Sequence, residues 1–207
     1  MAADPSQLPV AMTGAVTKAV FTESISTFDG ITVRVSAQGL GGGRTVVLLD
    51  ALSHKTSPYE GVLARLQIAK VRTIVIASHH PVAADTLINI LDGLGIPCVV
   101  LVGDRAEAQT AWRTTAHHPG RIIGLVVIDR GDPNASGVNC TVCETHCPPV
   151  LADTTALVGT AATKSIAEES HRHVRADLRI VELVGRRGTR DFIAQLSTEI
   201  VLRALSV

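Results

Sequence analysis

Three cysteines lie close together in the segment GVNCTVCETHCPP, residues 137–149. Cys140, Cys143 and Cys147 have the spacing C-x2-C-x3-C-P in a chain that has 4 cysteines in all. A C-x2-C pair lets two thiolates reach one metal ion, and three thiolates approach a zinc or an iron–sulfur site. The segment therefore predicts a metal or cluster site, with the identity of the cofactor unknown. Two alternatives stay open: a redox disulfide within the run, and reduced thiols packed in a loop.

A second set of candidate residues follows the apolar runs of the sequence. Ligands of an open α/β sheet bind beyond the carboxyl ends of its strands. The side chains expected there are polar and charged, which fits a small polar or anionic ligand. The predicted ligand-binding cleft consists of Asp50, His54, His79, Asp104 and Arg105, and Ser53, Ser78, His80, Asp129 and Arg130 are expected near the same edge.

The elements that would position these residues are predicted from alternating patterns. Apolar, β-branched runs alternate with helical patterns, which is typical of an α/β protein with a mostly parallel sheet and helices on both faces. The run at 31–38 alternates apolar and polar residues, which predicts a half-exposed edge strand. Further strands are predicted at 45–50, 72–78, 98–103, 121–129, 154–159 and 179–185, and helices at 58–69, 83–95, 106–118, 162–174 and 191–205. We predict an N-terminal arm over 1–24 and a single domain over 25–207.

The order of these elements resembles the α/β-hydrolase family over nearly the whole chain. FDGITVRVSAQGLGGGRTVVLLDA is similar to the opening of that family, and LINILDGLGIPCVVLVGDRAEA to the stretch that carries its nucleophile elbow. The elbow pattern of the family, G-x-[Ser, Asp or Cys]-x-G, falls on residues 103–107. The resemblance places the lid of the family at 130–153, where this chain has only the cysteine-containing loop.

The catalytic residues of the family are missing from the matching positions. Arg105 stands where the nucleophile is expected, and arginine stays protonated at any working pH. No carboxylate occurs near Ala162, no histidine occurs between Arg186 and Thr189, and Asp50-Ala51 replaces the His-Gly pair that helps form the oxyanion hole. The resemblance therefore implies a degenerate member without the triad. Arg105 is expected either to pair with Asp50 or Asp104 or to hold an anion.

Composition excludes several classes of partner. The chain has 207 residues, with 19 lysines and arginines against 19 aspartates and glutamates, so we expect no binding to nucleic acid or to an anionic membrane. No apolar run approaches the roughly 18–20 residues that span a bilayer, and we read no signal peptide, so the cytoplasm is the expected location.

The function predicted from these observations is a non-catalytic binding or regulatory partner, with no catalytic residue assigned. Its partner would be a small polar or anionic ligand or another protein, and self-association stays open. The alternative is an enzyme of the same fold with a rebuilt site that uses Cys140, Cys143 and Cys147, or a serine such as Ser53 or Ser78.

Overall fold

The structure is a computed structural model, and it describes residues 20–39, 44–52, 59–135 and 147–206. The strands of the described residues are β1 (Val20–Ser26), β2 (Thr32–Gln38), β3 (Thr45–Ala51), β4 (Arg72–Ser78), β5 (Val99–Asp104), β6 (Ile122–Ile128), β7 (Asp153–Val158) and β8 (Leu178–Glu182). The helices are α1 (Glu60–Ile68), α2 (Ala84–Gly93), α3 (Ala106–His117), α4 (Ala161–Glu169) and α5 (Arg190–Leu205), and a 3-10 turn at Ser170–His173 follows α4.

One sheet contains all eight described strands, in the order β1-β2-β4-β3-β5-β6-β7-β8. β1 pairs antiparallel with β2, and β2 antiparallel with β4, whereas the six strands from β4 to β8 in this order pair parallel with one another. The prediction that residues 31–38 form an edge strand was wrong, because β1 covers the outer side of β2. β1 begins at Val20, so the sheet starts inside the segment predicted as an arm over 1–24.

Helices pack on both faces of the sheet, as the sequence pattern predicts. α2 and α3 cover one face, where Trp112 and Leu87 are fully buried. α1 and α5 cover the other, where Leu66 and Phe192 are fully buried. The strands between these layers are buried along nearly their whole length, which explains why their sequences are continuous apolar runs.

The carboxyl ends of the parallel strands meet at one edge of the sheet, which we call the carboxyl edge. It is formed by the ends of β3 to β8 and by the residues that follow them. Asp104 is the last residue of β5, Asp129 follows β6, and residues 183–189 connect β8 to α5. Among the described residues, no helix is long and apolar enough to cross a membrane.

Candidate functional site

A tight turn connects β5 to α3 at the carboxyl edge. β5 ends at Asp104 and α3 begins at Ala106, so Arg105 alone makes the turn, with φ 53° and ψ −106°. The Arg105 N–H donates to the Ile128 carbonyl over 2.9 Å, and its side chain is exposed. A Cβ on Gly103 would lie 2.6 Å from the Glu107 carbonyl oxygen, so the strand can approach the helix this closely only with glycine. The chain therefore keeps a strained strand–turn–helix connection with an arginine at its apex.

Asp104 lies beside this turn and is bound by two side chains from distant parts of the chain. Arg187 donates to both of its carboxylate oxygens, from Nε to Oδ2 and from Nη2 to Oδ1, each over 2.6 Å. The Tyr59 hydroxyl donates to Oδ2 over 2.6 Å. Burial and the charge of Asp104 raise the pKa of Tyr59 far above its ordinary value, so the hydroxyl keeps its proton and remains a donor.

Asp129 completes this group of side chains. Its Oδ2 accepts from Arg187 Nη2 over 2.7 Å, and its Oδ1 accepts from the Gly159 N–H over 2.6 Å and from Thr163 Oγ1 over 3.1 Å. The hydrogen bond to Asp104 is the largest cause that raises the pKa of Arg187 above its ordinary value. We call Tyr59, Asp104, Asp129 and Arg187 the Arg187 cluster.

The Arg187 cluster combines two carboxylates with one guanidinium and has no histidine. Fork-shaped pairing of an arginine with carboxylates is among the stronger hydrogen-bonding arrangements in proteins. The side chains of Asp104, Asp129 and Arg187 are 10%, 14% and 23% exposed, so the ion pairs lie just below the surface. The cluster can hold charge in a fixed geometry, but it offers no neutral base next to a nucleophile.

An open groove lies next to the cluster, beyond the ends of β7 and β8. Its volume is about 340 Å³. Lys164 and Glu182 line it and form an ion pair over 2.7 Å. Gly159, whose N–H binds Asp129, and Leu183, which begins the connection to Arg187, line it as well. The groove thus adjoins the cluster on the side of Asp129.

No protein-family model and no curated protein matches the sequence. Solved structures do match it. Epoxide hydrolase A from Mycobacterium thermoresistibile is 11% identical, with a TM-score of 0.65 over 89% of this chain and 98% of that one. An epoxide hydrolase from Vigna radiata is 10% identical, with a TM-score of 0.66 over 91% of this chain and 99% of that one. A predicted CIB-like hydrolase from Thermoplasma acidophilum is 15% identical, with a TM-score of 0.67 over 89% and 98%.

The chain has the α/β-hydrolase fold. At these identities the likeness concerns the fold and leaves the activity open.

Only some residues of the predicted cleft lie in or near the Arg187 cluster at the carboxyl edge of this α/β-hydrolase fold. Asp104 is at the centre of the Arg187 cluster, and Asp50 lies close enough for its charge to raise the pKa of Tyr59. His79 is exposed after β4, and the Arg105 side chain is exposed as well. The predicted pairing of Asp104 with Arg105 differs from the structure, since Arg187 takes both of its oxygens. His54 lies outside the described residues.

Two residues of the cluster escaped the sequence analysis. Tyr59 stands directly before α1, where the apolar helical pattern suggests a core role for an aromatic residue. Arg187 lies in the segment GRRGTRD, where the α/β-hydrolase resemblance places a histidine. The pairing could have been predicted from two features of the sequence. An arginine stands where the resemblance expects a histidine, and carboxylates occur at the ends of two neighbouring strands.

The cysteine prediction is only partly covered by the structure. Cys140 and Cys143 lie outside the described residues. Cys147 is buried, and its carbonyl oxygen accepts from Asn134 Nδ2 over 3.1 Å. In the ranges that the structure describes, no three histidine, cysteine, aspartate or glutamate side chains are placed to hold a metal ion. A metal or cluster at Cys140, Cys143 and Cys147 stays a prediction.

Proposed function

We propose that this protein is a non-catalytic α/β-hydrolase-fold protein that acts as a binding or regulatory partner. The single observation that carries the proposal is Arg105 at the apex of the strained turn between β5 and α3. A guanidinium remains protonated in proteins and has no lone pair available for attack on an ester or an epoxide. At the position where the resemblance expects the nucleophile, Arg105 therefore provides a positive charge and no nucleophile.

The Arg187 cluster supports the same proposal. Arg187 comes from the segment in which the resemblance expects the catalytic histidine, and its N–H groups only donate hydrogen bonds, whereas a catalytic base would accept a proton. Asp104, the nearest carboxylate to the apex, accepts three hydrogen bonds from Arg187 and Tyr59. Charge-assisted bonds of this kind stabilise the carboxylate as it is and oppose its attack on a substrate.

The proposed binding face is the carboxyl edge, and the proposed ligand is a small polar or anionic molecule or a polar patch of another protein. The exposed Arg105 guanidinium lies at the start of α3, where the helix dipole also favours negative charge. Self-association through this face belongs to the same proposal. The cytoplasm remains the proposed location.

The test is an activity screen of the purified wild-type protein with short and long p-nitrophenyl esters, a styrene epoxide and a fluorophosphonate probe. We expect no turnover above that of the Arg105→Ala protein, which serves as the matched control, and no labelling by the probe. Arg105→Ser should gain neither activity nor labelling, because the Arg187 cluster beside the turn has no histidine to serve as its base and its carboxylates are already bound by Arg187. Turnover that survives repurification and is abolished by a point substitution in this chain would overturn the proposal.

An enzyme with a rebuilt site is the second candidate. It is favoured by one observation: the similar solved structures described above are hydrolases by name. In this candidate Cys140, Cys143 and Cys147 hold zinc or an iron–sulfur cluster, or provide a thiolate, above the carboxyl edge. Near-stoichiometric metal after anaerobic purification, lost together with activity in Cys143→Ser and Cys147→Ser, would support it. A metal-free protein in which these two variants behave like wild type would remove it.

A further inference from the structure

The fit of Arg187 into its carboxylates has the geometry of a ligand in a binding site. A guanidinium presents parallel N–H donors along its edges, and here one edge meets the two oxygens of Asp104 while Nη2 also reaches Asp129. An ammonium group is a compact point charge and cannot reproduce this fork. The acceptors are therefore arranged for a guanidinium in particular and not for any cation.

The acceptors are also held in place without the help of Arg187. Asp104 is fixed at the end of β5 and receives the Tyr59 hydroxyl. Asp129 is fixed by the Gly159 N–H and by Thr163 Oγ1. Because these bonds do not involve Arg187, the two carboxylates would stay close together if the guanidinium left. Two neighbouring negative charges of low exposure strongly favour a new cationic partner.

The segment that carries Arg187 is attached to the body of the protein at few points. Gly185 and Gly188 flank the arginine pair, both with positive φ, and a Cβ at Gly188 would meet no atom within 4 Å. Arg186, Gly188 and Thr189 are exposed. On its N-terminal side the segment is anchored by the Leu183 N–H on Val158 and the Val184 N–H on Gln195. On its C-terminal side Thr189 caps α5, since its side chain accepts from the Phe192 N–H. Within the described residues, Arg187 makes the only side-chain ion pairs between this segment and the strand ends.

We propose that Tyr59, Asp104 and Asp129 form a binding site for a guanidinium group, and that Arg187 is its intramolecular occupant. The ligand class is a guanidinium, supplied either by a small molecule or by the arginine side chain of a partner. The inference rests on the proposed function, because it assumes that the carboxyl edge is a binding face. It adds a guanidinium to the polar or anionic ligands proposed for that face.

The test removes the occupant and supplies the ligand separately. Methylguanidinium is titrated at low millimolar concentration into Arg187→Ala and into Arg186→Ala, a matched control from the same segment with an exposed side chain. Arg187→Ala should bind one equivalent saturably by calorimetry and regain melting temperature, since a ligand that binds only the folded state stabilises it. Arg186→Ala and wild type should bind methylguanidinium at least about tenfold more weakly than Arg187→Ala does, because their own Arg187 competes at a high effective concentration.

Selectivity separates a built site from general cation binding. Methylammonium at the same ionic strength should not rescue Arg187→Ala, and addition of Asp129→Asn should weaken methylguanidinium binding about tenfold. Equal rescue by methylammonium, or no saturable difference between the two alanine variants, would overturn the proposal. If Arg187→Ala does not fold, Arg187→Gln, which keeps an amide donor, is titrated in its place with the same expected ranking.

A second probe identifies the source of the ligand. Binding of N-acetyl-arginine amide to Arg187→Ala would show that an arginine side chain of a partner can enter, whereas binding of methylguanidinium alone would assign the site to small guanidinium compounds. Ester hydrolysis by the wild type would overturn the proposed function but would not change this titration, so the two failures are distinguishable.

Discussion

Arg105 and Asp129 have backbone conformations that are rare for residues other than glycine. Their φ angles are 53° and 52°, and they follow the adjacent strands β5 and β6. Conformations of this kind cost of order 1–3 kcal/mol each and persist when the surrounding structure determines them. At both residues the cost is offset by specific bonds, from the Arg105 N–H to Ile128 and from the Asp129 N–H to Leu157. The strain belongs to the turn itself and does not depend on the chemistry of the side chain.

The first prediction concerns this strain at Arg105. Replacement by glycine, which accepts positive φ without steric cost, should raise the free energy of unfolding by about 1 kcal/mol in urea denaturation. Replacement by alanine keeps the Cβ and should bring no such gain. If the two variants have the same stability, the turn is not strained by its side chain.

Asp132 is the second residue whose environment has a measurable consequence. It is fully buried, its Oδ1 accepts from the Asn134 N–H over 2.8 Å, and its Oδ2 has no hydrogen-bond partner among the residues that the structure describes. Burial is the main cause that raises its pKa above the ordinary value, while the nearby His173 opposes the shift. The folded protein therefore holds this proton more tightly than the unfolded chain does.

The second prediction follows from that direction. Because the folded-state pKa is raised, the carboxyl costs no stability below its unfolded-state pKa, and the cost appears as the pH rises through the folded-state value. Asp132→Asn lacks this titration, so its stability relative to wild type should improve between pH 4 and pH 7. The expected change is about 1–3 kcal/mol, the range for a buried polar group left unsatisfied. A difference that stays flat with pH in urea denaturation would contradict it.

At the scale of elements, helix α5 is attached to the sheet by polar as well as apolar contacts. Arg203 is buried near the end of α5, and its Nη2 donates to Thr155 Oγ1 over 2.8 Å and to the Thr154 carbonyl over 3.2 Å. A Cβ on Gly124 would lie 3.1 Å from its Cγ, so the stem of the arginine packs directly on β6. Asp153 lies 3.4 Å from Nη1 and provides a compensating charge. A charged residue can be buried here because its donors are satisfied.

The third prediction tests that attachment. Arg203→Met keeps a stem of similar shape but leaves the threonine hydroxyl and the carbonyl without their donor, so the free energy of unfolding should fall by about 2–4 kcal/mol. Arg190→Met, at the exposed start of the same helix, is the control and should stay within about 0.5 kcal/mol of wild type. Thermal or urea unfolding measures both. Similar effects in the two variants would mean that helix propensity, and not the buried bonds, accounts for the change.

At the scale of the whole molecule, positive and negative charges balance. The 19 basic and 19 acidic side chains cancel, and the isoelectric point is about 7.1. Several of these charges are paired within the described structure, including those of Arg187 and Arg203. A protein without net charge has little electrostatic repulsion between its copies.

The fourth prediction is that solubility is lowest close to pH 7. The polyethylene glycol concentration that precipitates the protein should pass through a minimum there and rise on both the acidic and the basic side. Lys70→Glu, an exposed charge reversal outside the Arg187 cluster, should move the minimum to lower pH. A minimum that does not move would show that a specific contact between copies, and not net charge, limits solubility.

The sequence predicts the central part of the fold accurately. The run predicted at 72–78 is β4, residue for residue, and the helix predicted at 106–118 is α3 within one residue. These elements are buried on one or both faces, so their apolar patterns reflect their environment directly. β1 was missed because its sequence VFTESIS mixes polar and apolar residues, and only its pairing with β2 makes it a strand.

The sequence by itself determined the α/β architecture, the strand ends that carry polar residues and the presence of an arginine at the elbow. These features depend on local pattern and on residue type, which a single sequence contains. Only the tertiary structure decided which charges meet, because Asp104 and Arg187 are 83 residues apart and Tyr59 and Asp104 are 45 apart. Partners at such separations are set by how strands and loops converge at the carboxyl edge, and residues of the same type were available at several other positions.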